Sequence, residues 1–223
     1  MPTVTQRLIE AHEEERSCIG RELHDDINQR IALVSVNLDS LRQHLPGSLG
    51  DLNHELEAIS RQLVDLGNDV QALSHRLYSS KLEYLGIEKA ASSFCRELSK
   101  RQNVSIDCDF ENIPIDLSKE LSLSLFRVLQ EALHNAIKHS GSKTFQVWLG
   151  VESNELQLKV RDMGIGFDPE QVMRGHGLGL ISMRERMRLV KGDFFIDSQP
   201  KRGTTVHARV RLAPRAKSAH TAG

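Results

Sequence analysis

The chain has 223 residues, 39% of them hydrophobic, with 29 basic and 30 acidic side chains and a net charge of -1. That size suits one large domain or two small ones with a true core, and the near-neutral balance excludes a basic field that would draw the chain directly onto nucleic acid or anionic lipid. Cys18, Cys95 and Cys108 show no CxxC or metal-type spacing, which argues against a disulfide scaffold or a zinc site and fits a reducing cytoplasm.

No apolar run reaches the roughly 20 residues that span a bilayer, and "MPTVTQRLIEAHEEER" lacks the apolar segment of a signal peptide. No membrane contact is therefore expected from this segment. A helical pattern begins almost at Met1 with no sensing module ahead of it, so the chain is expected to be the cytosolic part of a longer receptor.

From about residue 5 to residue 80 there is one proline, and apolar residues recur at three and four, the period of a helix. The first stripe carries Ile19, Leu23, Ile27, Ile31, Val34, Leu38, Leu41 and Leu45, closer to a step of four at its start. In "LPGSLGD", Pro46, Gly47 and Gly50 stop that helix and turn the chain, with Asp51 placed to help start the next. The second stripe, Leu52, Leu56, Ile59, Leu63, Leu66, Val70, Leu73 and Leu77, alternates steps of four and three, the seam of a left-handed bundle. Residues 1–80 thus form an antiparallel helical hairpin. A hairpin cannot close a core around its own seam, so it is expected to pair with a second copy as a homodimeric four-helix bundle.

The pattern then changes. "YSSKLEYLG" (78–86) is expected to act as a hinge, whose bounds are set at 81–90, with Leu82, Leu85 and Ile87 packing it against one face or another. Residues 91–213 read as a mixed domain: a helix around Glu88 to Arg101, the alternating "NVSIDCDF", an amphipathic helix near Ser118 to Ser140, two strand-like runs ("TFQVWLGV", "ELQLKVRD"), a glycine-rich stretch, a helix from about Leu178 to Val190 and a closing hairpin ("GDFFIDS", "TTVHARVRL"). Mixed helices and mostly antiparallel strands imply a two-layer α/β sandwich. The tail, 214–223, is expected to be disordered.

Three segments of this second half carry chemistry. In "LQEALHNAIKHSG", Glu131 and Asn135 are four apart and share a helix face, with Lys138 further along. An amide oxygen can ligate a hard Mg2+ that also holds phosphates, and a lysine can balance phosphate charge, although the segment taken alone reads better as a polar helix surface. In "VRDMGIGFDP", Asp162 follows a strand and precedes Gly164 and Gly166, so its carboxylate can accept a hydrogen bond from an exocyclic amine while the glycines admit a flat base. In "GHGLGLISMRERM", Gly175, Gly177 and Gly179 run into a helix whose free N–H groups can face phosphate. The spacing is neither a Walker A loop nor a Rossmann fingerprint.

The run "RELHDDINQRIALVSVNLDSL" poses a separate question about His24. A histidine accepts a phosphoryl group only on a deprotonated, aimed ring nitrogen, and a carboxylate on the other ring N–H fixes the tautomer. Asp25 is suitably placed, and His24 lies about 100° off the apolar seam, exposed between anchored neighbours.

In this order the three segments resemble the N, G1 and G2 boxes of the Bergerat-fold (GHKL) ATPases, and with the hairpin the chain resembles a sensor histidine kinase from about Arg7 to Leu212. "ELHDD" is similar to the phosphoacceptor box, and Asp25 with Gln29 to the DxxxQ pattern, of the NarX/DesK-like subfamily. The resemblance implies a protein-histidine kinase that binds ATP with the adenine amine on Asp162, Mg2+ on Asn135, Glu131 organising the metal's water shell and Lys138 facing the phosphates. It implies a short lid between about Asp168 and Gly177, and Thr204 or Thr205 near the nucleotide. His24 would be the phosphoacceptor, Asp25 its orienting base, and Gln29 would position water to hydrolyse the aspartyl phosphate of a response-regulator receiver domain. Met163, Lys191 and Lys201 depart from the commonest family pattern, the two lysines at positions where glycine is frequent. Two other readings stand beside this one: a Bergerat-fold ATPase driving clamp or chaperone motion, and a degenerate kinase acting as a phosphatase or scaffold. Asp26 and Asn28 read as solvated polarity.

Overall fold

A computed structural model describes residues 4–44, 50–77, 80–169 and 178–212. The chain divides into two compact units, Met1–Ser80 and Lys81–Gly223. Pro46, Gly47, Gly175, Gly177 and the tail from residue 213 lie outside the described residues.

The described residues of the first unit are all helical. Helix α1 (Val4–Glu22) runs through a wide π-type turn, Leu23–Ile27, into α2 (Asn28–His44), and α3 (Gly50–Leu77) packs against both helices and the turn. Gly50 is the first residue of α3 rather than part of the break before it. The wide turn answers the step-of-four start of the stripe. In a straight α-helix each step of four overshoots a full turn by about 40°, so Ile19, Leu23, Ile27 and Ile31 would drift about 120° around the cylinder. A five-residue hydrogen-bonded loop, closed by Asn28 N–H on the Leu23 carbonyl, takes up that excess. Leu23, Ile27 and Ile31 all stay half-buried along one line as a result.

The second unit is two layers deep. Its sheet has the order β1-β2-β3-β5-β4, from β1 (Ser105–Glu111), β2 (Thr144–Glu152), β3 (Glu155–Asp162), β4 (Asp193–Ser198) and β5 (Thr204–Arg211). Only β1 and β2 pair in parallel, and the crossover that parallel pairing requires is α5 (Lys119–His139). Ser118 caps α5, its hydroxyl accepting the Leu121 N–H, while Lys138 and His139 occupy the last turn, where cations meet the negative end of the helix dipole. Alternate strand residues such as Val147, Leu158 and Val206 meet Leu125, Leu129 and Leu133 of α5, Cys95 of α4 (Ser80–Gln102) and Met183 and Met187 of α6 (Leu178–Leu189) in one core. This is the expected sandwich.

The stretch 81–90 is helical on either side of Gly86, which alone leaves helical geometry, at φ 78°. Ile87 is buried and Leu82 packs on the core, whereas Leu85 is exposed. Helix α6 ends in a Schellman motif, Gly192 N–H bonding the Met187 carbonyl and Lys191 N–H that of Arg188. Lys191 therefore sits at the left-handed position, φ 56°, and Lys201 adopts φ 66° in the β4–β5 turn. Both lysines thus occupy backbone conformations that favour glycine.

Candidate functional site

The polar turn and the cavity lie in different units. In the first unit, His24 Nδ1 and Asp25 Oδ1 are 2.8 Å apart. An ionised carboxylate only accepts, so in the neutral ring the proton sits on Nδ1 and the lone pair on Nε2. About half of the His24 side chain is open to solvent, at 49%. Gln29, in the first turn of α2, is exposed as well. Asp26 pairs with Arg30 at 2.8 Å, a surface ion pair four residues apart, which agrees with its reading as solvated polarity. Asn28 is half-buried, and its backbone closes the wide turn.

In the second unit a cavity of about 440 Å3 opens between α5, α6 and the ends of β3 and β5. Ala132, Asn135, Ala136 and His139, one face of α5, form one wall; Leu180 and Met183 of α6 face them; Asp162, Gly166 and Thr204 close the inner end. Asp162 is 4% exposed. Burial pushes its carboxyl above the ordinary carboxylate range, against the pull of hydrogen bonds from the Gly164 and Thr204 N–H groups and the Thr204 hydroxyl. A buried acceptor beside apolar walls is the arrangement that selects a ring amine.

Glu131 and Asn135 meet over α6. Asn135 Nδ2 donates to Glu131 Oε1 at 3.2 Å, which leaves the amide oxygen of Asn135 as a free-standing hard ligand. A Cβ on Gly179 would displace that Glu131 oxygen, so glycine leaves room for the pair as it stands. Among the described residues no three His, Cys, Asp or Glu side chains gather to hold a metal. The donors present fit a cation held chiefly by phosphate oxygens, with one amide from the protein.

The expected site residues fall in different places. Gly164 does not line the cavity; a Cβ there would strike the carbonyl of Ser140, the C-cap of α5, so this glycine serves contact between backbones, not between backbone and base. Gly166, at φ 58°, does line it, held under the Gln199 carbonyl. Of the threonine pair, Thr204 faces Asp162, and Thr205, on the opposite sheet face opposite Arg161, does not line the cavity. Lys138 is exposed and is also absent from its lining. Gly175, Gly177 and most of the expected lid fall outside the described residues. Sequence reasoning missed Ser140, Phe167 and the apolar wall of Leu180 and Met183; Ala132 and Ala136, small residues at a helical repeat beside Asn135, were the available signal for an open groove.

Comparison with known proteins agrees with both halves. Residues 15–82 match the family described as "Histidine kinase", and residues 120–214 match "Histidine kinase-, DNA gyrase B-, and HSP90-like ATPase". The chain is 36% identical over 208 residues to the oxygen sensor histidine kinase NreB of Staphylococcus carnosus (strain TM300), covering 93% of this chain and 59% of that protein. It is 30% identical over 204 residues to the sensor histidine kinase LiaS of Bacillus subtilis (strain 168), covering 92% and 56%. The chain therefore spans little more than half the length of these relatives. In fold it is similar to the histidine kinase domain of the Erythrobacter litoralis EL346 blue-light activated histidine kinase, with a TM-score of 0.51 at 16% identity, over 81% of this chain and 96% of that one. With the helical family ahead of the ATPase family and relatives matched along nearly its whole length, the chain belongs to the NarX-like sensor histidine kinases, of which it holds the catalytic portion.

Proposed function

We propose that this chain is the core of a two-component system: it phosphorylates His24 from ATP, passes the phosphoryl group to an aspartate on a response-regulator receiver domain, and removes it from that aspartate when signalling ends. The observation that carries this reading is the 2.8 Å contact between His24 Nδ1 and Asp25. It leaves Nε2 with the lone pair that attacks the γ-phosphorus; the N–P bond forms as the bond to ADP breaks, and Asp25 stabilises the imidazolium. A receiver carboxylate then attacks the same phosphorus and the N–P bond breaks. In the reverse phase, Gln29, also on the exposed side of this turn, orients the water that hydrolyses the acyl phosphate.

Asp162 accepts the adenine amine, Ala132, Ala136, Leu180 and Met183 exclude water from the base, and Asn135 with Glu131 is the place for Mg2+, which when bound neutralises phosphate charge. Lys138, outside the cavity, steers phosphate by charge at most. The helical unit works as a homodimer, because Val34 and Leu66 remain half exposed, at 49% and 51%, along the seam it presents. No helix among the described residues is long and apolar enough to cross a membrane, and the core is proposed to act in the cytoplasm, where ATP and receiver domains meet. A clamp-type ATPase would leave the paired His24 and Asp25 without a task.

Incubation with γ-labelled ATP and Mg2+ tests the reading. Wild type takes acid-labile label, and His24→Ala takes none while binding ATP with wild-type affinity; label persisting on that variant would sink the assignment. Gln29→Ala should keep autophosphorylation and lose dephosphorylation of the regulator by about tenfold or more, the size expected for one water-positioning group. Equal phosphatase rates would refute that role.

A further inference from the structure

Two serine hydroxyls of the helical unit are used differently. Ser35 donates to the Ile31 carbonyl four residues back on its own helix at 3.0 Å, the usual habit of a helical serine. Ser74, only 1% exposed, instead reaches from α3 across to α1 and donates to the Gly20 carbonyl at 2.8 Å. In a regular α-helix that carbonyl receives the N–H of the residue four along, which here is His24. Gly20 is itself buried and carries no side chain to hold α3 away. Just past it the helix changes pitch: the wide turn Leu23–Ile27 holds both His24 and Asp25.

We propose that Ser74 is a positioning residue for the phosphoacceptor. Its hydroxyl engages the carbonyl at the entry to the wide turn, stabilises the turn against rewinding as α-helix, and so fixes the direction in which His24 is presented. Rewinding would take one residue out of the turn and rotate α1 against α2 by about 100°, which would carry His24 away from its outward bearing. Ser74 never touches the ring; it acts through Gly20 and the helix pitch, so a displacement of α3 is transmitted to the acceptor. π-Turns cluster at functional sites, and here the cross-helix bond supplies a physical reason for one. The proposal rests on His24 being the acceptor.

The test compares Ser74→Ala, the hydroxyl-retaining Ser74→Thr, and Ser35→Ala as a matched control in the full chain. Autophosphorylation kinetics are read beside the NMR signals of the His24 ring nitrogens and the backbone amides of residues 23–28, recorded without ATP. Ser74→Ala is expected to lower kcat about tenfold, the scale of a lost buried hydrogen bond and a misaimed nucleophile, with KM for ATP unchanged and the His24 and turn signals shifted. Ser74→Thr restores both and Ser35→Ala moves neither. Unshifted signals with wild-type kcat in Ser74→Ala overturn the proposal, as does a Ser74→Thr variant as impaired as Ser74→Ala. If wild type takes no label at all but Ser74→Ala still shifts the His24 signals, the acceptor reading fails while the link from Ser74 to the turn stands.

Discussion

The two units carry similar apolar stripes to opposite ends. In the sheet unit Leu125, Leu133 and Met187 disappear completely into one core, and Asp162, the carboxylate at the inner end of the cavity, is buried with them. In the helical unit Val34, Leu41, Ile59 and Leu66 remain open, and Asp25, the corresponding acid, is mostly in water. In the proposed function the same chemical group would have two uses: dry, an acceptor selected by shape; wet, the partner that orients a histidine. The sheet unit closes its own core, whereas the helical unit leaves apolar residues open for the second copy proposed above.

Perturbing the dry side should have the largest effect. Asp162→Ala is expected to weaken ATP binding about 100-fold, near the upper end for the loss of a hydrogen bond to a charged group, read by calorimetry. Because burial raises the native pKa of Asp162, the folded state holds its proton more tightly than the unfolded one. The penalty of the buried charge is complete at neutral pH and is relieved as pH falls from the raised value toward the ordinary one. The stability of wild type relative to Asp162→Ala should therefore rise on acidification through that window, and a flat or falling difference would show that Asp162 is not strained by burial.

A smaller effect is expected on the wet side. Val34→Glu with Leu66→Glu should loosen the dimer by about tenfold or somewhat more, since only about half of each side chain is left to bury and full burial contributes about 1.5–3 kcal/mol, while the melting of the sheet unit stays put. Sedimentation at varied concentration checks this. A double variant that remains as dimeric as wild type would remove the contrast between a finished and an unfinished core. The smallest effect concerns backbone alone: Lys191→Gly and Lys201→Gly should each raise the melting free energy of the sheet unit by about 0.5–1 kcal/mol, because each relieves a left-handed residue.

Much of this was legible from residue spacing. Ser118 and Ser140 bracket α5 in the sequence as they do in the structure, and the strand pairs follow the alternation of "ELQLKVRD" and "TTVHARVRL". Local periodicity determines such elements, so they can be read locally. The wide turn was visible only as a run of four-residue steps, because a change of pitch has no residue type of its own. The partner of Gly164 was hidden: Ser140 lies at the end of another element, and only the folded crossover brings the two backbones together. Thr204 and Thr205 were separable in principle, since alternate residues of a strand face opposite ways, but choosing between them needed the register that sets Thr204 beside Asp162.

The contact at Gly164 reaches beyond its own loop. With the Ile165 N–H bonded to the Ser140 carbonyl at 2.8 Å, the end of β3 is riveted to the end of the helix that carries Glu131 and Asn135. If the proposed function holds, that joint sets the distance between the acceptor for the base and the donors for the phosphates, and a side chain at position 164 would alter it without touching either group.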